Sequence, residues 1–348
     1  MMRALLLQIL KARELSIVLL MLAYIVFIGS INHEFITADS ISLLVKASVI
    51  LLIMAVGQSF VLFTSNIDVS VGSIMGLTAA VCGVLLTSGY SLWMMVSFVL
   101  IVGAVIGFMN GVGVAYLKIP SIIMTLGTLG IIRGFMLIYT EGMWIEDIPH
   151  FYKELSGIKF LGLNFPVWIA IFILIITSLS LAKTKFGRYF YAVGDNFEGA
   201  RLVGIPVQKV QLAAFILSGI SAAIAGLVFV MNIGFVPNQT GSGIELQVIA
   251  AAVLGGVSLT GGIGTVLGAG LGAVFFTVIS NSLIYLKIPA YWNDAISGLL
   301  LLLIVVGDSK FQQYLKQQSF KNQKKKMPEA VPSLKGGVDH DKKNKAVT

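Results

Sequence analysis

Long apolar stretches follow one another along most of this chain, and they constrain its fold more than any other feature. Many of them approach or exceed the roughly 20 apolar residues that cross a bilayer. Of the 348 residues, 57% are hydrophobic and only 11% are charged, and the mean hydropathy is +0.93. Such a composition lies far from that of a soluble domain. The sequence therefore predicts an all-α integral membrane protein.

About ten transmembrane helices fit this pattern, in a membrane domain that covers residues 1–309. We expect two halves, roughly 15–140 and 164–307, joined by a polar connection. Glycine-rich stretches blur several boundaries. The predicted spans are 15–31, 41–63, 70–89, 92–116, 121–140, 164–182, 209–231, 245–260, 264–286 and 292–307.

Positive charge is distributed very unevenly between the two sides of this arrangement. Of the 24 Lys and Arg residues, 19 fall on the side of the termini and 3 on the other. Lys and Arg collect on the cytoplasmic side of membrane proteins, so we expect both termini to be cytoplasmic. Ten of the lysines lie in the tail 310–348, which we expect to be disordered. The net charge of +8 therefore indicates topology or lipid contact rather than nucleic-acid binding.

The pentapeptide YLKIP occurs twice, at Tyr116–Pro120 and at Tyr285–Pro289, 169 residues apart. Each copy directly precedes the last predicted span of a half. An odd number of crossings per half places the copies on opposite faces, as in an inverted repeat with a pathway between pseudo-symmetric halves. The alternative is a chance match between apolar segments.

A polar segment, 186–206, separates the predicted spans 164–182 and 209–231 of the second half and contains one short predicted helix, from about Asn196 to Val203. Asp195 is a predicted N-cap, with Glu198 completing a capping box. Gly204 and Pro206 stop the helix. A capped helix on a loop is typical of a docking element for a soluble partner. The candidate docking residues are Gly194, Asp195, Asn196, Phe197, Glu198, Gly199, Ala200, Arg201, Val203 and Gly204, with Phe197, Ala200 and Val203 sharing one face.

Two polar interruptions lie at matching positions of the two halves and are candidates for a central pathway or gate. The first contains Asn66, Asp68 and Ser70, which line such a gate unless Asp68 and Ser70 only cap the following helix. The second contains Asn232, Asn238, Gln239 and Glu245, which otherwise belong to an external loop. Arg133 is charged within a span, so we expect it to be paired or to face water.

The residues needed for a disulfide, a metal site or a nucleotide-binding loop are not found in this sequence. Cys82 is the single cysteine, and the three histidines lie outside the predicted spans, so we expect no disulfide within the chain and no metal site. No GxxxxGK[ST] loop occurs. ATP and Mg²⁺, if used, therefore bind a partner, and the chain itself carries no cofactor.

At these motifs the chain resembles permeases of the ribose-type sugar branch of ABC importers. The resemblance runs through residue 307 and rests on NIDVSVGS (66–73), KIPSIIMTLGTLGIIRG (118–134), FGRYFYAVGDNFEGARLVGI (186–205) and ELQVIAAAVLGGVSLTGGIGT (245–265). Within that branch it is most similar to permeases of autoinducer-2 importers. The narrower match rests on NIDVSVGSI, EGMWIEDIP (141–149), AVGDNFEGAR, IGFVPNQTG and IPAYWND (288–294).

The resemblance implies a permease of the bacterial inner membrane that imports autoinducer-2 by alternating access. It also implies a second permease subunit, a cytoplasmic ABC ATPase and a periplasmic solute-binding protein. Residues 194–204 become the coupling helix, with Phe197 and Val203 in the cleft of the ATPase and Glu198 and Arg201 at its rim. Import of ribose or another monosaccharide stays open. A secondary carrier lacks an ion relay, and an intramembrane enzyme lacks a convergent set of catalytic residues.

Overall fold

The computed structural model describes residues 13–289, 292, 295–303 and 306–307. Contacts divide the chain into Met1–Val305 and Val306–Thr348, and all the named helices and strands lie in the first unit. The basic tail predicted at 310–348 lies outside the described residues. The described part is helical apart from one small hairpin. Its helices are α1 (Arg13–Ile31), α2 (Ala38–Phe63), α3 (Val71–Thr87), α4 (Leu92–Ala115), α5 (Ser121–Tyr139), α6 (His150–Leu155), α7 (Phe165–Lys183), α8 (Lys185–Asp195), α9 (Phe197–Leu202), α10 (Val207–Ile233), α11 (Ile244–Leu254) and α12 (Val266–Tyr285).

Shorter elements lie between α1 and α2 and between α5 and α7. A 3-10 helix, His33–Ile36, links α1 to α2. Strands β1 (Lys159–Phe160) and β2 (Leu163–Asn164) pair antiparallel just before α7. Neither α6 nor this hairpin was predicted from the sequence.

Seven of these helices are long and apolar enough to cross a membrane, counting described residues only. They are α1, α2, α4, α5, α7, α10 and α12, and their bounds lie within about three residues of the predicted spans. Helix α3 is apolar but has 17 residues. The tenth predicted span, 292–307, is described in part, with residues 295–303 helical. The prediction of an all-α membrane protein is confirmed.

The eighth predicted span, 245–260, is wrong in its length. Helix α11 has 11 residues and ends at Leu254, because Gly255 and Gly256 follow and Gly256 takes a positive φ of 85°. At 1.5 Å per residue it covers about 16 Å, roughly half of a bilayer core. The chain beyond it, 255–265, is irregular backbone that packs on other parts of the protein.

The 169-residue repeat seen in YLKIP recurs in the structure. Helix α10 corresponds in its bounds to α2, and α12 overlaps the equivalent of α4. Both lysines of the pentapeptide, Lys118 and Lys287, take a φ of 58°, and the turns that end α2 and α10 also share a positive φ, at Ser65 and Gly234. Four positions in a left-handed conformation at the same offset indicate repeated local structure.

The repeated helices run in opposite directions and pack closely. Gly57 of α2 faces Ser221 of α10, and a Cβ at Gly57 would lie 2.6 Å from the Ser221 Oγ. Gly103 and Gly107 of α4 face Gly219 and Phe215 of α10, so these two helices are antiparallel as well. Small residues let helix backbones approach closely in membranes. The antiparallel pairing of α2 with its equivalent, α10, fits the predicted inverted repeat.

Candidate functional site

The polar segment between α7 and α10 forms two consecutive helices rather than the single predicted one. Thr184 caps α8, its hydroxyl oxygen accepting from the Gly187 amide at 2.8 Å. Helix α8 continues through Asp195, and Asn196 is the N-cap of α9, its Oδ1 accepting from the Gly199 amide at 2.8 Å. The predicted cap at Asp195 is therefore wrong by one residue. Glu198, at the second helical position, is out of register for the predicted capping box.

The predicted stop of this helix at Gly204 is confirmed. Gly204 has a φ of 82°. Its amide donates to the Arg201 carbonyl at 3.1 Å, and the Ile205 amide donates to the Ala200 carbonyl at 3.0 Å. These two bonds form a Schellman motif, which satisfies carbonyls left open at a helix end. Helix α9 is thus fixed at both ends.

Helix α9 leaves large apolar side chains uncovered. Leu202 is 86% exposed and Val203 77% exposed, and Phe197 is also exposed. Ala200 is buried against its own chain. The prediction that Phe197, Ala200 and Val203 share one docking face is therefore wrong for Ala200. Leu202 was not among the docking residues predicted from the sequence. Its neighbours Arg201 and Val203 were predicted docking residues. Which side chains at this end of α9 point outward depends on where the helix ends, and the structure places that end at Leu202.

The end of α8 is locked onto the end of α2 and onto the segment that follows α11. A Cβ at Gly194 would lie 2.6 Å from the Gly262 nitrogen and closer still to the Phe63 carbonyl oxygen. The Gly262 amide donates to that carbonyl at 3.1 Å. The Ser65 hydroxyl lies 3.0 Å from the Gly194 carbonyl and 2.6 Å from the Thr260 carbonyl. We call this contact the α8 joint, and it connects the polar segment to the end of α2 and to the chain that follows α11.

An aromatic contact supports the α8 joint. The rings of Phe63 and Tyr191 lie 4.6 Å apart between centroids. Burial raises the pKa of Tyr191 to about 12. The phenol therefore stays neutral throughout the physiological range.

A cavity of about 770 Å³ separates α9 from the first YLKIP copy. Its walls include Glu198 and Arg201 of α9, Lys118 and Pro120 of the pentapeptide, and Asn66. Asn66 is otherwise buried, its amide donating to the Thr64 carbonyl at 2.9 Å. Of the first group of pathway candidates, it is the one that reaches an open space.

Asp68 and Ser70 lie at the centre of a buried hydrogen-bond network. Asp68 Oδ1 accepts from the Ser70 amide at 2.9 Å and from its hydroxyl at 2.6 Å, and Oδ2 accepts from the Ser218 hydroxyl at 2.9 Å. Asn110 donates to the Ser70 Oγ at 2.8 Å. Neither Asp68 nor Ser70 caps α3 with its side chain. Ser70 occupies the N-cap position, but its hydroxyl binds Asp68 and Asn110 and not an amide of the first turn. Asp68 binds the Ser70 amide just before that turn and Ser218 of α10, so the prediction that both side chains cap α3 is wrong.

The second group of pathway candidates lies around an ion pair within the membrane helices. Arg133 Nη2 lies 3.1 Å from Glu245 Oε1 and 3.3 Å from Oε2, and Arg133 Nη1 donates to the Ser242 hydroxyl at 2.6 Å. Beside this pair is a cavity of about 310 Å³, which we call the Arg133 cavity. It is lined by Arg133, Met136, Leu137, Asn238, Gln239, Thr240 and Ser242.

The remaining candidates of this group occupy different places. Asn238 donates to the Gly142 carbonyl at 2.7 Å, while Gln239 is exposed. Asn232 lines neither cavity, and its Oδ1 is buried without a hydrogen-bond partner in the described part of the chain. The predicted pathway residues thus lie in four places: Asn66 at the cavity beside α9, Asp68 and Ser70 in the buried network, most of the second group at or beside the Arg133 cavity, and Asn232 apart from these.

Residues 40–305 match the family described as "Branched-chain amino acid transport system / permease component". The chain belongs to this permease family. Among its relatives, the autoinducer 2 import system permease protein LsrC of Salmonella typhi is 47% identical over 312 residues, 90% of each chain. The protein of the same name from Escherichia coli O157:H7 is 43% identical over 334 residues, 96% of this chain and 98% of that one. No solved structure matches the chain.

Family membership and the membrane helices together define the class of protein. A permease component with seven helices that can cross a membrane, counted over the described residues, is a multi-pass membrane protein. The permease is a transport component rather than an enzyme. In its described part, no three His, Cys, Asp or Glu side chains lie where they can hold a metal ion.

Proposed function

We propose that this permease is the membrane subunit of an ATP-binding cassette importer that brings autoinducer-2 across the bacterial inner membrane. The proposed identity of the substrate rests on one observation, the name shared by relatives that are 43–47% identical over at least 90% of the chain. A ribose-type monosaccharide is the alternative solute. Both termini are cytoplasmic in this proposal, in line with the uneven distribution of Lys and Arg.

ATP and Mg²⁺ bind a separate ATPase subunit, and α9 is the element that meets it. Supporting this role, α9 exposes Phe197, Leu202 and Val203 while both of its ends are capped. Apolar side chains of this size are favourable contacts for a partner groove. Glu198 and Arg201 flank them and suit polar contacts at the rim. A second permease subunit and a periplasmic solute-binding protein complete the transporter.

Movement of α9 reaches the membrane helices through the α8 joint. Because Ser65, Gly194 and Gly262 pack without space between their backbones, a displacement of α8 displaces the end of α2 and the segment 255–265. Both lie at non-helical stretches of the membrane domain, one before α3 and the other after α11. The two halves then alternate around a central pathway, as rigid bodies with packed interfaces do.

The coupling role is tested with Leu202→Asp in cells that express all four components. We expect loss of autoinducer-2 uptake and of ATPase co-purification, because a charge replaces an apolar contact in a groove. Membrane level and thermal stability of the permease stay unchanged, since Leu202 is 86% exposed. Leu161→Asp is the matched control, since Leu161 is 78% exposed on the hairpin turn between α5 and α7. Normal uptake by Leu202→Asp would remove α9 from the coupling mechanism.

A further inference from the structure

The Arg133 cavity lies within the membrane part of the protein. Arg133 is twelve residues into α5, which begins at Ser121 and ends at Tyr139. At 1.5 Å per residue it lies about 18 Å from the start of this helix and about 9 Å from its end, and therefore inside a hydrocarbon core of about 30 Å that the helix spans. An aqueous or protein environment must therefore be provided for the charge at this depth.

The ion pair is held in place and is still accessible. The Arg133 side chain is 33% exposed and that of Glu245 is 12% exposed. Gly72 of α3 packs against the Glu245 carboxylate and the Gly241 carbonyl so closely that a Cβ has no room there. Glu245 is thus fixed between α3 and Arg133. Lipid offers no partner for the exposed part of such a pair, so the cavity faces water, solute or another protein surface.

Hydrogen-bonding capacity around the cavity is incompletely used. Arg133 Nε is buried and has no acceptor among the described residues. Gln239 is exposed, which leaves its side-chain amide accessible from the cavity. Among the lining residues, the Arg133 guanidinium and the side-chain amides supply donors, while the amide oxygens and the Ser242 hydroxyl supply acceptors. This set suits adjacent hydroxyl groups, each of which donates and accepts.

The volume of the cavity and the charges beside it limit the class of solute further. A volume of about 310 Å³ lies at the lower end of the range for small-molecule sites. The charges of Arg133 and Glu245 compensate each other, so a neutral solute leaves the pair balanced and a charged one does not. We propose that the Arg133 cavity is a solute-binding station on the permeation path for small neutral polyhydroxylated molecules. This assignment rests on the proposed import function and names where the solute is contacted.

Gln239 gives the cleanest test, because it lines the cavity without belonging to the ion pair. The complete transporter, reconstituted in proteoliposomes with its binding protein, is assayed with Gln239→Leu for autoinducer-2 transport and for ATP hydrolysis. We expect transport to fall roughly three- to tenfold, the effect of losing about one hydrogen bond, with ATP hydrolysis within about twofold of wild type. Gln247→Leu is the matched control. It makes the same change on the first turns of α11, but Gln247 lines a different cavity, with Ala47 and Phe229.

Thiol accessibility supplies a second measurement that does not depend on turnover. Cys82 is fully buried and is the single native cysteine, so labelling of Gln239→Cys has a low background. We expect a charged methanethiosulfonate to label Gln239→Cys, and autoinducer-2 with its binding protein to slow the labelling. Ile131→Cys, at a position 74% exposed on α5 and absent from the cavity lining, stays unlabelled in membranes.

Three results would overturn the assignment. They are wild-type transport by Gln239→Leu together with unprotected labelling of Gln239→Cys, equal loss of transport and ATP hydrolysis, and no aqueous labelling at position 239. If the wild-type transporter moves ribose but not autoinducer-2, the proposed substrate falls, and the same protection measurement with ribose still decides whether the cavity binds solute.

Discussion

The buried network around Asp68 gives a prediction whose size follows from the structure. Asp68→Ala removes the acceptor of the Ser70 amide, of the Ser70 hydroxyl and of the Ser218 hydroxyl. The amide cannot reorient, and a buried unpaired donor costs about 1–3 kcal/mol. The two lost hydroxyl bonds add about 1 kcal/mol each. We therefore expect a loss of about 3–5 kcal/mol, which lowers the unfolding midpoint by roughly 5–10 °C.

Asp68→Asn retains the size of the side chain and one acceptor oxygen. The Ser218 hydroxyl can rotate and accept from the new amide nitrogen, so the expected cost is about 1 kcal/mol. If Asp68→Ala does not accumulate in membranes, Ser218→Ala removes a single bond at the same carboxyl group, at a cost of about 1–2 kcal/mol. Asp39→Ala, at an exposed position in the first turn of α2, is the control and changes the midpoint by no more than a degree or two.

The assay uses the single cysteine of the chain. Cys82 is fully buried in α3, so a fluorogenic maleimide reacts with it only as the detergent-solubilised permease unfolds. The midpoints are expected in the order wild type, Asp68→Asn, Asp68→Ala, from highest to lowest. If Asp68→Ala unfolds within a degree of wild type, the hydrogen bonds at this carboxyl group do not hold α3, α4 and α10 together.

Three further predictions concern the polar segment. Gly194→Ala should destabilise the permease by about 1–3 kcal/mol, since no space exists at the α8 joint, whereas Gly130→Ala, with nothing within 4 Å, should be neutral or slightly stabilising; thermal unfolding compares the two. Asn196→Ala should cost α9 about 1 kcal/mol and speed hydrogen exchange at its first amides, and Asp195→Ala should not, because Asn196 is the cap. Tyr191 has a folded pKa of about 12, above its ordinary value of 10.0, so its contribution to stability is complete below pH 10 and is lost as the pH rises toward 12; the midpoint difference between pH 9 and pH 11 should shrink in Tyr191→Phe.

The membrane helices were predictable from the sequence because apolar length alone determines them. The span predicted at 209–231 is Val207–Ile233 in the structure, and the one at 121–140 is Ser121–Tyr139. The end of the short helix α11 was not predictable in this way. Apolar residues continue past Leu254, and the helix ends because Gly256 takes a left-handed conformation. Apolar composition tells where a chain is buried but not where its hydrogen-bond ladder stops.

In the candidate sites too, features set by neighbouring residues were predictable, and contacts between residues far apart in the sequence were not. Gly204 was predicted as the helix stop because its signal is local. The cap is Asn196 rather than Asp195 because a helix that was not predicted, α8, continues through Asp195. The partners of Asp68 and Arg133 are 150 and 112 residues away, and no local pattern encodes such contacts. For Arg133 the sequence required a partner, and the fold supplies Glu245.

Uptake by whole cells tests the central claim most directly. Labelled autoinducer-2 and ribose are supplied in parallel to cells that express this permease, the ATPase, the second permease and the binding protein, to cells that lack only this permease, and to cells that lack only the ATPase. We predict that autoinducer-2 uptake requires both this chain and the ATPase, while ribose uptake does not change. Autoinducer-2 uptake that persists without the chain or without the ATPase would contradict the proposed function, and loss of ribose uptake alone would show that the solute is wrong.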